Sequence, residues 1–160
     1  MSMSLRRLQL SEITAEAFAP FGDLIETPGE VARRDRVARI ANDRAQATAN
    51  LAVVRALAPP PGFVFHEMER HPFSTQGFFP LDVAEYLVVV APDDGAQAPS
   101  LEGLRGWRVR GTQAISYRTG VWHTPMTVLA GAGLFAVLVF EEGTVDDTHF
   151  RPIAPFMIVP

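Results

Sequence analysis

Short apolar runs bounded by turn residues recur along the chain, and most of them lie after residue 60. They are mostly rich in Val, Phe and Ile, and the 12 glycines and 13 prolines of the chain are spread between them. β-Branched and aromatic residues in runs of this length favour strands. We therefore predict strands over Val37–Asn42, Gly62–Glu69, Gln76–Phe79, Glu85–Ala91, Gly106–Arg110, Ala114–Arg118, Thr127–Leu129 and Leu134–Phe140.

Two segments favour a helix instead. Thr14 is a suitable N-cap for a short helix over Ala15–Phe18, which Pro20 ends. A second helix is predicted over Ala45–Leu57, ahead of three consecutive prolines that lack the backbone donors a helix needs. The spacers between the later strands are too short for crossover helices. The pattern therefore predicts a mostly β protein, a sandwich or a barrel, with one or two short helices.

Length and charge narrow the class of protein further. The chain has 160 residues, which predicts a single domain over 1–160. Its net charge of −4 disfavours a general affinity for nucleic acid or for an anionic membrane. The longest apolar runs, Tyr86–Ala91 and Leu134–Phe140, are much shorter than the roughly 20 residues that span a bilayer. We expect a cytoplasmic protein with neither nucleic acid nor membrane as a partner.

Two residue types are missing from the chain. It has no cysteine, which excludes disulfides, thiolate catalysis and cysteine-ligated metals. All 14 basic residues are arginine, so Schiff-base chemistry on a lysine is excluded as well. General acids, bases and metal ligands must come mainly from 18 carboxylates, four histidines and two tyrosines. Any fixed positive charge must be an arginine.

The densest group of ionisable residues lies in the predicted strand around residues 63–72. In a regular strand successive side chains alternate between faces. One face would then carry Phe63, Phe65, Glu67, Glu69 and His71, and the other Val64, His66, Met68 and Arg70. The first face is apolar at one end and ionisable at the other, as in a barrel wall that opens into a polar pocket. The alternative is a solvated strand edge with paired charges.

A second group lies in Gly120-Val121-Trp122-His123-Thr124-Pro125. A glycine, an aromatic residue beside a histidine, and a proline indicate a tight, rigid segment. The histidine is a candidate general acid or base, because imidazole titrates near neutrality. A packed, hydrogen-bonded histidine is the alternative.

Together the two groups resemble the two cupin motifs. The first motif is matched by Glu69-x-His71 followed by Gln76 and Gly77, and the second by a glycine three residues before His123. Two metal-ligand positions differ, since Glu69 replaces a histidine and Gln76 replaces a glutamate. The set of Glu69, His71, Gln76 and His123 would hold a divalent ion through mixed oxygen and nitrogen ligands, or it would form a metal-free polar pocket.

A closer resemblance covers most of the chain in order. Residues 67–80, the strand Tyr86–Ala91 and Val121-Trp122-His123-x-Pro125 resemble the ureidoglycolate lyase family, formerly called ureidoglycolate hydrolase, as do residues 17–26 and 44–46. The resemblance implies a cupin-like β-barrel (a double-stranded β-helix, or jelly roll) that forms a homodimer. It also implies release of urea from (S)-ureidoglycolate, giving glyoxylate, in allantoin and purine breakdown. Some members of the family are associated with a divalent metal such as nickel, so either no cofactor or such a metal is expected.

The chemistry of this reaction suggests a set of site residues, because one base and one acid are sufficient for the cleavage. The expected catalytic residues are Glu69, His71 and His123, with a histidine as general base and Glu69 as its partner or as the acid. Gln76 is expected to bind the urea amide. Further candidates for substrate binding are Arg70, Arg44, Arg118, Tyr117 and Trp122. The arginines are candidates because a guanidinium pairs with a carboxylate through two hydrogen bonds.

Two other functions use the same pocket. One is a different cupin enzyme, an isomerase or epimerase acting on a small hydroxy acid or sugar. The other is a non-catalytic cupin that binds a small molecule. Two histidines are set aside: we expect His66 to be structural or interfacial and His149 to lie on the surface. The run Leu134–Phe140 is expected to be a buried strand or part of a subunit interface.

Overall fold

The computed structural model of the chain describes residues 5–159, and most of its regular structure is strand. The elements are β1 (Arg6–Gln9), β2 (Ser11–Glu12), α1 (Ala15–Phe18), β3 (Gly22–Ile25), β4 (Thr48–Leu57), β5 (Val64–Arg70), β6 (Gln76–Asp82), β7 (Glu85–Ala91), β8 (Arg105–Arg110), β9 (Ala114–Tyr117), β10 (Trp122–His123), β11 (Thr127–Val128), β12 (Ala132–Glu141) and β13 (His149–Val159). Two short 3₁₀ turns lie at Leu101–Gly103 and Val145–Asp147.

The strands form two sheets. The larger sheet has the order β1-β13-β5-β10-β7-β8-β2, with β11 also paired to β7. Its outermost strands, β1 and β2, are consecutive in the chain, so the sheet curls round until it nearly closes. The smaller sheet has the order β3-β9-β6-β12-β4. This arrangement is the mostly β, cupin-like barrel that the sequence predicts.

The larger sheet is apolar on both faces. Along β7, Val88 and Val90 pack into a core that includes residues of the smaller sheet, whereas Leu87 and Val89 pack into a second core. Alternation along a strand sends neighbouring residues to opposite faces, so burial on both faces requires an unbroken apolar run. The continuous run Tyr86–Ala91 meets this requirement.

Seven of the eight predicted strands are present. Glu85–Ala91 has the predicted bounds. In the other six strands each end either matches or differs by one or two residues, except that β6 continues three residues beyond its predicted end. The prediction of a strand over Val37–Asn42 is wrong. There, only Asn42 forms an isolated bridge, to Ser74. The backbone turns away from an extended path at Arg36, whose φ is 54°.

The prediction of a helix over Ala45–Leu57 is also wrong, because β4 occupies Thr48–Leu57. This strand pairs antiparallel with β12 along ten residues. Its β-branched side chains suit a pleated surface, and long-range pairing outweighs the high helix propensity of its alanines. The short helix over Ala15–Phe18 is confirmed, with the Thr14 hydroxyl accepting a hydrogen bond from the Ala17 N–H at 3.1 Å.

Besides β4, five strands lie outside the predicted set: β1, β2, β3, β10 and β13. The last contains prolines, and its pairing with β5 shifts register between Pro152 and Phe156. Part of the predicted face assignment in β5 is also wrong. Phe65 packs in one cluster with Met68, on the opposite side from Glu69.

Among residues 5–159, no helix is long and apolar enough to cross a membrane.

Candidate active site

Three ionisable side chains converge on the inner face of the larger sheet. Glu69 on β5 lies directly opposite His123 on β10, so their side chains share a face. His71 follows the end of β5, and its ring centroid lies 5.8 Å from that of His123. One ligand atom from each of the three residues lies within 4.8 Å of the others. The structure thus brings together the three residues predicted to be catalytic, which we call the acid–base cluster.

Backbone carbonyls fix the tautomer of both histidines. Nδ1 of His123 lies 2.9 Å from the carbonyl oxygen of Val121, and Nδ1 of His71 lies 3.0 Å from that of Asp147. Because a carbonyl oxygen only accepts, each Nδ1 must carry the hydrogen in the neutral ring. Both Nε2 atoms are buried and make no hydrogen bond within the described chain. The Nε2 atom of His123 lies 3.4 Å from Oε1 of Glu69, which is within ion-pair range.

Burial and neighbouring charges set the protonation of the cluster. Burial and, next, the nearby charge of His123 together lower the pKa of His71 from 6.5 to about 4, against the raising effects of Glu69 and of the hydrogen bond to Asp147. Burial alone would raise the pKa of Glu69. The contact with His123 and the charges of the two histidines outweigh burial, and the pKa of Glu69 is lowered. At neutral pH the cluster therefore holds a carboxylate beside a neutral His71.

The smaller sheet supplies the facing wall. The ring of Tyr117 stacks on that of His123, with centroids 4.2 Å apart and planes 13° from parallel. Burial raises the pKa of Tyr117, so its phenol stays protonated. Gln76 lies directly across from Tyr117 in the ladder between β6 and β9, and its amide approaches His71. Oε1 of Gln76 is buried and has no hydrogen-bond partner among residues 5–159.

A cavity of about 270 Å³ lies beside these residues. It is lined by Val54, Arg55, Ala56, Glu69, Gln76, Phe78, Pro125, Met126 and Val137. Glu69 and Gln76 reach this cavity from the cluster, while the two histidines are buried. The cavity walls are mostly apolar with few polar groups, which is typical of small-molecule sites.

Arg70 and Trp122 do not join the acid–base cluster. Arg70 forms an ion pair with Asp93 at 3.1 Å, donates to Gln97, and lies over the Trp122 ring at 4.5 Å. The indole of Trp122 donates to the same carboxylate at 3.0 Å. Neighbours of Glu69 and His123 along their strands point to the opposite face, which explains this placement. The structure therefore places both side chains on the face opposite the acid–base cluster.

Arg44 lies behind His71, not beside the cavity. Its Nη2 donates to the Asp147 carboxylate at 2.6 Å, its Nη1 lies 3.6 Å from Glu142, and the guanidinium lies over the Phe73 ring at 5.0 Å. Arg118 lines a separate cavity of about 200 Å³ together with Arg39. Neither Arg44 nor Arg118 therefore lines the cavity that Glu69 and Gln76 reach.

Sequence reasoning missed two contributors to this region. Asp147 holds His71 through its carbonyl, and Arg55 lines the cavity that Glu69 reaches. The only sequence signal for Asp147 was its place in an acidic stretch ending at His149. The two histidines set aside lie elsewhere: His66 is exposed, and His149 lies 4.0 Å from Asp146.

The donor atoms of the cluster fit a divalent cation. Two imidazole nitrogens and one carboxylate form the ligand set common in open metal sites, and the unpaired Oε1 of Gln76 is a weaker fourth donor. Each histidine donates its other ring N–H to a backbone carbonyl, as metal-bound histidines usually do. The cluster is thus compatible with a metal, through the same four residues that the cupin resemblance indicated.

Known proteins match the chain along most of its length. Residues 5–155 match the family model described as ureidoglycolate lyase. The ureidoglycolate lyase of Pseudomonas syringae pv. syringae (strain B728a) is 34% identical over 156 residues, covering 91% of this chain and 91% of that protein. That of Brucella anthropi is 35% identical over 167 aligned positions, with 93% and 96% covered. That of Pseudomonas entomophila (strain L48) is 32% identical, with 97% and 98% covered.

Proposed function

The chain belongs to the ureidoglycolate lyase family, and we propose that it cleaves (S)-ureidoglycolate into urea and glyoxylate. The observation that carries this proposal is the convergence of His71, His123 and the Glu69 carboxylate on one inner face, beside a cavity of about 270 Å³. Cleavage of this substrate needs only proton transfers and binding of an anion, which this set of residues can supply without lysine or cysteine.

The reaction can be written as a balanced proton transfer. The substrate carries a hydroxyl and a urea nitrogen on one carbon, next to a carboxylate. A base removes the hydroxyl proton, the oxygen forms the aldehyde carbonyl, and the electrons of the carbon–nitrogen bond leave with the urea nitrogen. That nitrogen takes up one proton, so one base and one acid are sufficient.

We assign the base to His123 and propose that the same ring returns the proton to the urea nitrogen. Its Nδ1–H is held by a carbonyl, so Nε2 presents a lone pair, and a proton gained there faces Glu69 at 3.4 Å. Glu69 then stabilises the imidazolium and does not itself act as the acid, because its lowered pKa keeps it ionised. His71 stays neutral and accepts a hydrogen bond from the substrate through Nε2.

A divalent cation such as nickel would be held by the two histidines and Glu69, with Gln76 as the weaker donor. When bound, such an ion supplies Lewis-acid polarisation of the substrate oxygen. A ring nitrogen that holds an ion cannot also accept a proton. An assay after chelation therefore distinguishes proton transfer by the histidines from metal binding by them. If the side chains alone transfer the proton, activity persists after chelation. If a metal is needed, activity falls and returns with added nickel.

The function is tested by measuring urea and glyoxylate release from (S)-ureidoglycolate. We expect wild-type protein to release both in equal amounts. Substitutions His123→Ala and Glu69→Ala should each lower kcat by about a hundredfold or more, the contribution typical of a proton-transfer group. His66→Ala is the matched control, since His66 is exposed on β5, and it should keep full activity.

Other outcomes of this assay would redirect the proposal. Wild-type turnover in His123→Ala would contradict the assignment of the base. Conversion of a small hydroxy acid or sugar without release of urea would indicate an isomerase or epimerase. Binding without turnover would indicate a non-catalytic small-molecule module.

We also propose that the chain is a single domain over 1–160 that acts as a homodimer in the cytoplasm on a small-molecule substrate. Residues 1–4 and 160 of that span lie outside the described part. Support for the dimer comes from β4, an edge strand whose outer side chains Leu51, Val53 and Leu57 are 71%, 69% and 65% exposed. An apolar edge strand of ten residues favours pairing with a second copy about a two-fold axis.

A further inference from the structure

His71 is held from behind by a turn near the end of the chain. Its Nδ1–H donates to the carbonyl oxygen of Asp147 at 3.0 Å, and the Thr148 hydroxyl lies 3.4 Å from the same nitrogen. Residues 71 and 147 are far apart in sequence. The position of the His71 ring therefore depends on how firmly the turn that carries Asp147 is itself fixed.

The side chain of Asp147 fixes that turn. Its carboxylate accepts the backbone N–H groups of Glu142, Gly143 and Thr144 at 2.9, 2.7 and 2.9 Å. These hydrogen bonds, the one from Glu142 first, together with the bond from Arg44 hold the pKa of Asp147 down to about 2. A carboxylate with this many donors cannot rotate without breaking several charge-assisted hydrogen bonds at once.

Arg44 completes the arrangement. Its side chain is only 12% exposed, and Nη2 donates to Asp147 at 2.6 Å. The guanidinium also lies over the ring of Phe73, two residues after His71. Arg44 therefore contacts both the turn that accepts from His71 and the segment that carries His71.

We propose that Arg44 and Asp147 are positioning residues of the enzyme, which fix the tautomer and ring orientation of His71. We call this pair the brace. The Asp147 carbonyl keeps the hydrogen on Nδ1, so the Nε2 lone pair of His71 faces Glu69 and His123. This inference rests on the proposed function for its catalytic consequence, but not for its structural one. Neither residue lines the cavity beside the acid–base cluster.

Weakening the brace should change turnover more than substrate binding. Outer-shell partners of a functional histidine typically contribute ten- to hundredfold, so we expect Asp147→Asn to lower kcat by about tenfold or more and to leave KM within about twofold. Arg44→Met should act in the same direction, and Arg44→Lys should recover part of the loss by restoring the charge. Asp146→Asn is the matched control, because that neighbouring carboxylate is 67% exposed.

The tautomer of His71 is the direct measurement, and it does not depend on activity. Long-range nitrogen–proton NMR of imidazole-labelled protein near neutral pH distinguishes a hydrogen on Nδ1 from one on Nε2. We expect Nδ1–H at both histidines in the wild type. In Asp147→Asn and Arg44→Met, His71 should lose that single tautomer while His123, held by Val121, keeps it.

Retention of the wild-type His71 signal and of kcat in folded Asp147→Asn and Arg44→Met overturns the proposal. If Asp147→Asn does not fold, the comparison of Arg44→Met with Arg44→Lys carries the test. A wild type that fails to release urea but shows the expected tautomer change in the variants contradicts the proposed function and leaves the brace intact. Release of urea by the wild type with no tautomer change in the variants contradicts the brace and supports the proposed function.

Discussion

Single residues in this site are kept in fixed protonation states by their neighbours. His71 is buried beside a second histidine, so its charged form is disfavoured on two counts, while Glu69 faces both rings and stays ionised. Each histidine has its Nδ1–H committed to a carbonyl. At neutral pH the site therefore holds a neutral His71 beside the Glu69 carboxylate, which suits abstraction of a proton or capture of a cation.

A pH dependence of stability follows from His71. Because its folded pKa of about 4 lies below its ordinary 6.5, the unfolded chain binds more protons between these values. The free energy of unfolding of metal-free protein should therefore rise with pH through this window and fall on acidification. Glu69, with its lowered pKa, acts in the same direction at lower pH. Urea-unfolding midpoints from pH 4 to pH 7 measure the effect.

Substitution His71→Gln is the control for this dependence. Glutamine does not titrate, so the variant should show a clearly flatter profile between pH 4 and pH 6.5. A profile identical to that of the wild type would assign the acid sensitivity to other groups.

At the scale of elements, the turn between β9 and β10 connects the two sheets at the site. Gly120 lies in this turn with φ of 79°, and its N–H donates to the carbonyl oxygen of His71 at 2.8 Å. A Cβ atom at this position would meet nothing within 4 Å in the described part of the chain. The conformation, not crowding, is thus the reason for glycine here.

Gly120→Ala should therefore destabilise the protein by about 1 kcal/mol, the cost of a left-handed conformation for an ordinary residue. It should also lower kcat, since the turn carries the backbone contact to His71. Gly120→Asn is the control, because asparagine tolerates positive φ, and it should retain more of both stability and activity. Equal losses in the two variants would contradict the explanation by backbone conformation. Thermal unfolding and steady-state kinetics measure these effects.

The edge strand β4 forms part of the cavity wall. As a strand at the edge of the smaller sheet it brings Val54 and Ala56 to the cavity, together with Arg55. Alternation directs the Cβ of Arg55 outward, but an edge strand leaves a long side chain free to reach round it. Arg55 makes no ion pair or side-chain hydrogen bond within residues 5–159, unlike Arg44 and Arg70.

Arg55 is therefore the arginine we expect to bind the substrate carboxylate. Arg55→Ala should raise KM by about tenfold, the equivalent of one charge-assisted hydrogen bond, with kcat little changed. Arg34→Ala, at an exposed position outside the cavity, is the matched control. An unchanged KM in Arg55→Ala would indicate that backbone N–H groups or a bound cation bind the substrate carboxylate instead. Steady-state kinetics over a range of ureidoglycolate concentrations measures both constants.

At the scale of the whole molecule, the outer face of β4 is the strongest candidate for contact with a second copy. Burying one of its large apolar side chains contributes about 2 kcal/mol, and a two-fold axis counts each residue twice. Leu51, Val53 and Leu57 together therefore offset a large part of the cost of association, about 4–15 kcal/mol.

Val53→Arg should convert the dimer to a monomer, because it places two like charges in the centre of the buried face. Light scattering coupled to gel filtration gives the mass directly. Val145→Arg is the control, since Val145 is 89% exposed and lies outside this strand. If Val53→Arg remains a dimer, the dimer interface does not lie on the outer face of β4.

Local pattern was sufficient for much of the fold and for part of the site. Runs such as Tyr86–Ala91 are apolar on both faces and predict a strand wherever they occur. The residues Glu69, His71 and His123 were found because their spacing matches that of the two cupin motifs. In contrast, Ala45–Leu57 was mistaken for a helix because the partner that makes it a strand, β12, lies about 80 residues later.

The sequence by itself determined the β-rich class, the family and the identities of the ionisable residues, because strand patterns and short motifs are local. Only the tertiary structure decided which arginines are already paired, which nitrogen of each histidine is free, and what holds His71 in place. Those properties depend on contacts such as that between His71 and Asp147, which join residues 76 positions apart. No local pattern encodes such a contact, since it forms only when the two sheets pack and close the turn against the site.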